Sequence, residues 1–359
     1  MPQSGVFNTF FPCAPLGHKK NSFAVITWNC RTLFCGDNRL FCRKFHMLEK
    51  NMKNQDIVCL QETKGTQSLI NKHFRKLSRD FWIVPNLSAR SVNEGGLITL
   101  VSKSSCPLEE SITHIKMIPG RVSRVLIQGD VCRQIVYNTH NHEFTSAQMD
   151  TVCKSILNDL SDCSTDTLRN NLIACGDFNI PSIAGRFFDY SRPIPIAATD
   201  AALDHHPRFN GVNGRLGKLL KDKRLVEVEP LAPTRYNNLN NTGSTIDRIF
   251  INTAPCFLKL CKWSSSILQD PKKLFTNGIS DHGFVQARAC FLAPPVPGEG
   301  IIPLPYINCS SFRIIFRQLC YETRIRFIDC PWEQKQKLVE IIKAAAVFTR
   351  EYLQDTAVE

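Results

Sequence analysis

The sequence predicts an α/β fold. Three short apolar runs carry the prediction, and each is polar at its exit. Phe23–Trp28 ends at Asn29, Asp56–Leu60 runs into Gln61 and Glu62, and Leu172–Cys175 is followed by Gly176, Asp177 and Asn179. Helical periodicity separates these runs, and a helix alternating with a buried strand is the α/β pattern. In such sheets function gathers at the carboxyl ends of strands, which is where these polar residues fall.

Each element follows from its own pattern. Residues 1–21 form an irregular leader with Pro2, Pro12 and Pro15 and no long apolar block, so no signal peptide is expected. Arg39–Gln55 reads as a helix, because Phe41, Phe45, Leu48 and Met52 recur at helical spacing with the Lys and Arg residues on the other face. Thr66–Leu77 is a second amphipathic helix, and Leu97–Ser102 follows the Glu94–Gly96 turn as a strand. Arg121–Gln128 and Cys132–Asn138 flank a hairpin turn at Gly129–Asp130. The second of these exits through Tyr137 toward His140, a candidate phosphate contact or a capped loop histidine. Thr145–Gln148 has capping-box spacing ahead of Met149, Val152, Ile156 and Leu160. Leu216–Leu225 is a short basic helix.

Pro233–Asn237 opens an Asn-rich loop that closes on the strand Ser244–Ile251, with Asp247 near its start. Arg235 and Tyr236, beside that loop, are candidates to lean on a nucleic-acid backbone and stack on a base. Ile279–Gly283, holding Asp281 and His282, precedes the strand Phe284–Ala289. Asp200, Asp204, His205 and His206 cluster in a loop-rich stretch and read as solvated rather than as a metal site. The main domain spans 22–292; residues 293–331 read as a linker from the Pro and Gly of Ala293–Gly300, and 332–353 as an amphipathic helix.

The net charge is +12 over 359 residues, and from Ile301 onward 8 Lys and Arg meet 7 Asp and Glu. The basic excess therefore belongs to the main domain and suggests a polyanionic partner. The 16 Cys include no C-x-x-C pair, so they read as reduced core thiols rather than a zinc or redox motif. No apolar run is long enough to span a membrane. These features predict a soluble intracellular protein, nuclear if genomic DNA is its substrate.

The strand-end residues are Asn29, Glu62, His140, Asp177, Asn179, Asp247, Asp281 and His282. Several carboxylates, two amides and two imidazoles at the mouths of an α/β sheet point to metal-assisted phosphoester hydrolysis. Glu62 and an Asp are hard oxygen ligands suited to Mg²⁺ or Mn²⁺. A His held by an Asp is a cation for the phosphoryl group or a general acid.

Trp28-Asn29, Leu60-Gln61-Glu62, Gly176-Asp177-Phe178-Asn179, Ser244–Asp247 and Ser280-Asp281-His282, in this order, resemble the endonuclease/exonuclease/phosphatase superfamily. The resemblance covers about three quarters of the chain. It implies a DNase I-like four-layered α/β sandwich, two packed mixed sheets flanked by helices. It implies Glu62 as the main metal ligand with Asn29 and Asp281 nearby, Asp177 as activator of water, Asn179 as phosphate holder, and Asp247 paired with His282. Arg31 departs from the acidic residue that abasic-site endonucleases usually carry there. At the middle motif Tyr137 and His140 are both present, and His140 is favoured.

Within the superfamily the sequence is most similar to the endonuclease domain of LINE-type retrotransposons, through Pro233–Asn237 and Ile246–Phe250. That implies a Mg²⁺-dependent enzyme that nicks DNA to leave a 3′-OH. The tail resembles the spacer before a reverse transcriptase, so element RNA or such a polymerase is a further partner, and the chain would be a fragment, truncated copy or domesticated domain. The alternatives are a phosphatase or phosphodiesterase acting on small or lipid phosphoesters, and an inactive DNA-binding remnant.

Overall fold

The computed structural model describes residues 22–106, 108–128, 132–142, 144–161, 169–180, 187–190, 196–197, 212–222, 225–230, 232–252, 261–291, 310–323 and 331–356. The leader, the Gly129–Asp130 turn and the Asp200–His206 cluster lie outside the described residues.

The main domain is built on two six-stranded mixed sheets. The first contains β1 (Ser22–Asn29), β2 (Ile57–Gln61), β3 (Phe81–Asn86), β4 (Leu97–Ser102), β15 (Cys261–Ile267) and β16 (Val285–Phe291), in the order β15-β16-β1-β2-β4-β3. The second contains β5 (Ile112–Ile118), β6 (Val122–Gln128), β7 (Cys132–His140), β8 (Arg169–Asp177), β11 (Val226–Glu227) and β14 (Asp247–Asn252), in the order β11-β14-β8-β7-β6-β5. Each sheet holds one parallel pair, β1–β2 and β7–β8, and the other pairings are antiparallel. A parallel pair needs a crossover connection, and α1 (Asn38–Met52) and α3 (Ser146–Ser161) lie in those two crossovers.

The layers follow from where the apolar residues point. Val25, Ile57, Cys59 and Val285 of the first sheet pack on Val136, Ile173, Cys175 and Ile249 of the second, forming the inter-sheet core. The opposite face of the first sheet buries Ile26, Val58 and Leu100 against Leu48 and Met52 of α1 and Ile70 of α2 (Gln67–His73). Likewise Tyr137, Leu172 and Phe250 meet Met149, Val152 and Ile156 of α3 and Leu216 and Leu220 of α4 (Val212–Asp222). Strand alternation thus feeds a core on both faces, and the predicted four-layered sandwich is present.

Two details depart from expectation, and one selects between two readings. Lys44 of α1 does not lie on the outer face. It is 2% exposed, and its ammonium donates to the carbonyls of Cys30, Arg31 and Thr32 at 2.8, 2.6 and 2.9 Å. The Asn-rich stretch after Pro233, open to reading as a flexible loop or a surface hairpin, is a hairpin. Its strands β12 (Arg235–Asn237) and β13 (Thr242–Ser244) belong to a small sheet with β9 (Phe187–Asp189) and β10 (Ile196–Ala197). The stretch 293–331 is not all linker, since α6 (Ser310–Glu322) lies within it. Phe312, Ile315 and Leu319 of α6 pack on Ile341, Ala345 and Phe348 of α7 (Pro331–Thr356), so each helix supplies the apolar face that the other needs. The helix predicted over 332–353 corresponds to α7. No helix among the described residues is long and apolar enough to cross a membrane.

Candidate active site

The first sheet contributes the ends of β1 and β2, and the second contributes the ends of β7 and β8 and the start of β14. Register brings them together. Trp28 pairs with Leu60 and Asn29 with Gln61, so Glu62 emerges beside the β1 exit. His140 pairs with Asp177, and Asp177 with Asp247. The β7–β8 approach requires Gly176, because a Cβ there would stand 1.9 Å from the Thr139 carbonyl oxygen at a φ of +138°.

Backbone strain concentrates at the same place. Arg31, Glu62 and Asn179 adopt φ of +44°, +50° and +51°, a left-handed region that costs a non-glycine residue about 1–3 kcal/mol. Each turns its chain sharply just past a strand end. At Asn179 the backbone N–H donates to Asp177 Oδ1 at 2.8 Å, and at Arg31 the N–H donates to Asn29 Oδ1 at 3.0 Å.

The polar side chains converge on a cavity of about 330 Å³ lined by Arg31, Glu62, His140, Asp177, Asn179 and His282, among others. Asn29 lies beneath, donating from Nδ2 to Glu62 Oε1 and Asp177 Oδ2, both at 2.9 Å. With its oxygen facing the Arg31 N–H, Asn29 orients two carboxylates rather than presenting a ligand atom of its own. Of the two roles open from sequence, neutral ligand or orienter of a carboxylate, this geometry displays the orienting contacts. His140 Nε2 lies 3.3 Å from Glu62 Oε1, and Arg121 supports the imidazole from the other side at 2.9 Å from Nδ1. Tyr137 is remote from this cluster: its hydroxyl is buried under α3, donating to Asp159.

His282 is buried against Asp247, with Nδ1 at 3.0 and 2.9 Å from the two carboxylate oxygens, and its Nε2 is turned toward Asp177 Oδ2 at 4.0 Å. The Thr234 hydroxyl accepts the backbone N–H of Asp247, and Ser280 accepts the N–H of His282 while donating to the Asn29 carbonyl. Trp28 Nε1 donates to the His282 carbonyl at 3.2 Å. Both partners of the pair are therefore held from behind. Burial alone would lower the imidazole pKa, but Asp247, Asp177 and Asp281 outweigh it and raise it to about 9. Burial also acts to raise Glu62, yet His140 and the Asn29 amide hold its carboxyl well below the usual range.

Asp281 lines the same cavity, its Oδ1 3.9 Å from His282 Nε2. Its carboxylate faces Arg31 at 3.2 Å and Arg235 at 3.3 Å. Burial raises its pKa, but His282 and the two guanidinium groups reverse the direction and lower it. Tyr236 is a correction. Alternation along β12 turns it inward, to 6% exposure, against Tyr190 and Phe275, with its hydroxyl donating to Asn241. No open face remains for a base to stack on, whereas Arg235 is half-buried and lines the cavity.

Among the described residues, two groups of side chains have the spacing to hold a metal ion: Glu62, His140 and Asp177, and Asp177, Asp247 and His282. Glu62 fits a hard cation best, being ionised, at the cavity wall and preorganised by Asn29. Arg121, Lys44, Thr234 and Ser280 escaped the reading from sequence. They act through backbone carbonyls, N–H groups or another side chain; Arg121 and Lys44 belong to no motif, and the motif runs that contain Thr234 and Ser280 point to their neighbours.

The sequence profile described as "Endonuclease/Exonuclease/phosphatase family" matches residues 26–282. The AP endonuclease LMAP from Leishmania major superposes with a TM-score of 0.52 at 16% identity, over 76% of this chain and 88% of its own. The 3′-5′ exonuclease NExo from Neisseria meningitidis does so with a TM-score of 0.50 at 17% identity, over 74% and 98%. At these identities the likeness is one of fold. No curated protein sequence matches the chain.

Proposed function

Because the chain belongs to the endonuclease/exonuclease/phosphatase family, we propose that it is a Mg²⁺- or Mn²⁺-dependent DNA endonuclease. It nicks one strand to leave a 3′-OH, in the manner of LINE-type retrotransposon endonuclease domains, and acts in the nucleus when genomic DNA is its target. The buried Asp247–His282 pair carries this reading, because its free Nε2 shares one cavity with Asp177, Glu62 and His140. Two fold relatives are named as an AP endonuclease and a 3′-5′ exonuclease, which favours nucleic acid as substrate.

In this scheme Asp177 takes the proton of the attacking water, whose oxygen forms the new bond to phosphorus. The P–O3′ bond breaks and its electron pair goes to O3′. His282, an imidazolium at neutral pH because Asp247 holds it, donates Nε2–H to a non-bridging phosphoryl oxygen and stabilises the charge that develops there. Asn179 positions the phosphate, and His140 with Arg121 buttresses Glu62. Glu62, with Asp177 beside it, would hold the divalent ion, which when bound supplies Lewis-acid charge to the phosphoryl group and leaving oxygen. Arg31 and Arg235 line the route of the phosphate backbone.

The test is nicking of supercoiled plasmid with Mg²⁺ or with EDTA. The parent protein should convert it to open circles only with the metal, and Asp177→Ala and His282→Ala should each slow this by about 10²–10³. The second reading, a phosphodiesterase on small or lipid phosphoesters, draws on His140 at the middle motif. Intact plasmid together with released phosphate or headgroup would favour it. Neither product from a folded protein would favour the inactive remnant.

A further inference from the structure

The basic charge of the chain is not concentrated at the proposed active site. Residues 38–81 carry ten Lys and Arg against four Asp and Glu, half of the net +12. Four of these ten cations line a groove of about 790 Å³ between the end of α1, the turn before β3 and the end of β4. Lys50, Lys53, Lys76 and Arg79 line it, all exposed and none with an ion-pair partner among the described residues. Lys103 closes one side, its ammonium 3.9 Å over the Trp82 ring and donating to the Ser78 carbonyl at 2.7 Å. Glu49 and Asp80 are the only acidic residues on the lining.

The groove lies at the opposite end of the first sheet from the catalytic cavity. Gln55 lines the groove and Glu62 lines the cavity. The seven residue steps from one to the other, through β2, span about 23 Å at the rise of a strand. A phosphate seated in one is therefore not seated in the other.

We propose that this groove is a second nucleic-acid-binding site, which grips a phosphate backbone away from the strand being cut. Unpaired cations around a concavity suit a polyanion, because each phosphate neutralised releases counterions. A membrane surface fits less well. None of the exposed large apolar residues (Val92, Leu108, Ile115, Val226, Leu239 and Val339) lines the groove, so nothing there would insert. The site rests on the nuclease reading only in its choice of nucleic acid as the polyanion.

The test uses the full chain in EDTA, so that binding is read without cleavage. The probe is a DNA oligonucleotide of about four nucleotides, shorter than the separation of the two sites, with RNA of the same length as a further arm. The parent protein should bind two equivalents. The variant Lys50→Glu/Lys53→Glu/Lys76→Glu/Arg79→Glu should bind one, and its log–log salt slope for a long duplex should be shallower by about 3. A milder Gln version of the same four positions should fall between, which guards against a folding defect. One equivalent for both proteins, or an unchanged salt slope, overturns the proposal. So does binding to anionic phospholipid vesicles that is lost in the variant while nucleic-acid binding is kept. Plasmid nicking measured alongside separates the two readings: nicking with one equivalent refutes the groove alone, and two equivalents without nicking refutes the endonuclease alone.

Discussion

Lys44→Met is the most informative single change. It removes a buried ammonium that donates to three successive carbonyls, those of Cys30, Arg31 and Thr32. Those residues form the turn that leaves β1, and two of them, Arg31 and Thr32, hold φ of +44° and +70°. Burial pushes the Lys44 pKa down, so part of what the hydrogen bonds contribute is spent on desolvation. Methionine relieves that cost and fills similar volume, but it leaves three carbonyls without a donor at about 1–3 kcal/mol each. Allowing for relaxation toward water, the net loss should be about 3 kcal/mol, or a Tm lower by about 5–10 °C for a domain of this size. Activity should fall further than stability at temperatures where the variant stays folded, because Asn29 and Arg31 lose their fixed turn. Urea unfolding and plasmid nicking, run on Lys44→Met and Lys44→Arg together, measure both. Unchanged unfolding and unchanged nicking in Lys44→Met would refute the idea that this lysine fixes the turn.

Gly176→Ala should fail to fold or lose at least about 3 kcal/mol, because the Thr139 carbonyl occupies the Cβ position; soluble expression and Tm decide it. The raised His282 pKa means that the stability from its pairing with Asp247 is fully present below about 6.5 and is lost as pH rises through about 9. Unfolding followed across that window should show this limb in the parent and a flatter one in Asp247→Asn. Tyr236→Phe should cost about 1 kcal/mol of stability through the lost Asn241 contact and leave DNA affinity unchanged in a binding titration. Arg235→Ala should instead weaken binding and reduce the salt slope by about 1.

What the sequence discloses and what it hides divide along physical lines. The buried strands were legible because apolar runs such as Ile57–Leu60 end abruptly in polar residues, and the strand-end side chains were legible because their types suit phosphate chemistry. Asn29, Glu62, His140, Asp177, Asn179, Asp247 and His282 converge on one site. Tyr236 was misplaced because two adjacent strand residues face opposite ways, and an Asn-rich stretch that can be read as a hairpin does not disclose which of its side chains turns inward. Lys44 was read as solvated because an amphipathic stripe does not reveal three inward-facing carbonyls. The helix α6 was missed because its apolar face needs α7 to cover it, and the Pro and Gly upstream dominated the composition of that stretch.

The groups of the candidate site are drawn from both sheets, and the chain supplies them in order from Asn29 to His282. The strand carrying Asn29 pairs with β16, which follows His282, and the Trp28 indole is fastened to the His282 carbonyl 254 residues away. A ribosome extruding this protein thus releases no complete site until the closing strand has emerged and paired beside the opening one. A product cut short anywhere before that point carries the acids without their geometry. Under the proposed reading, the topology is an interlock on DNA cutting, completed only when β16 has paired with β1.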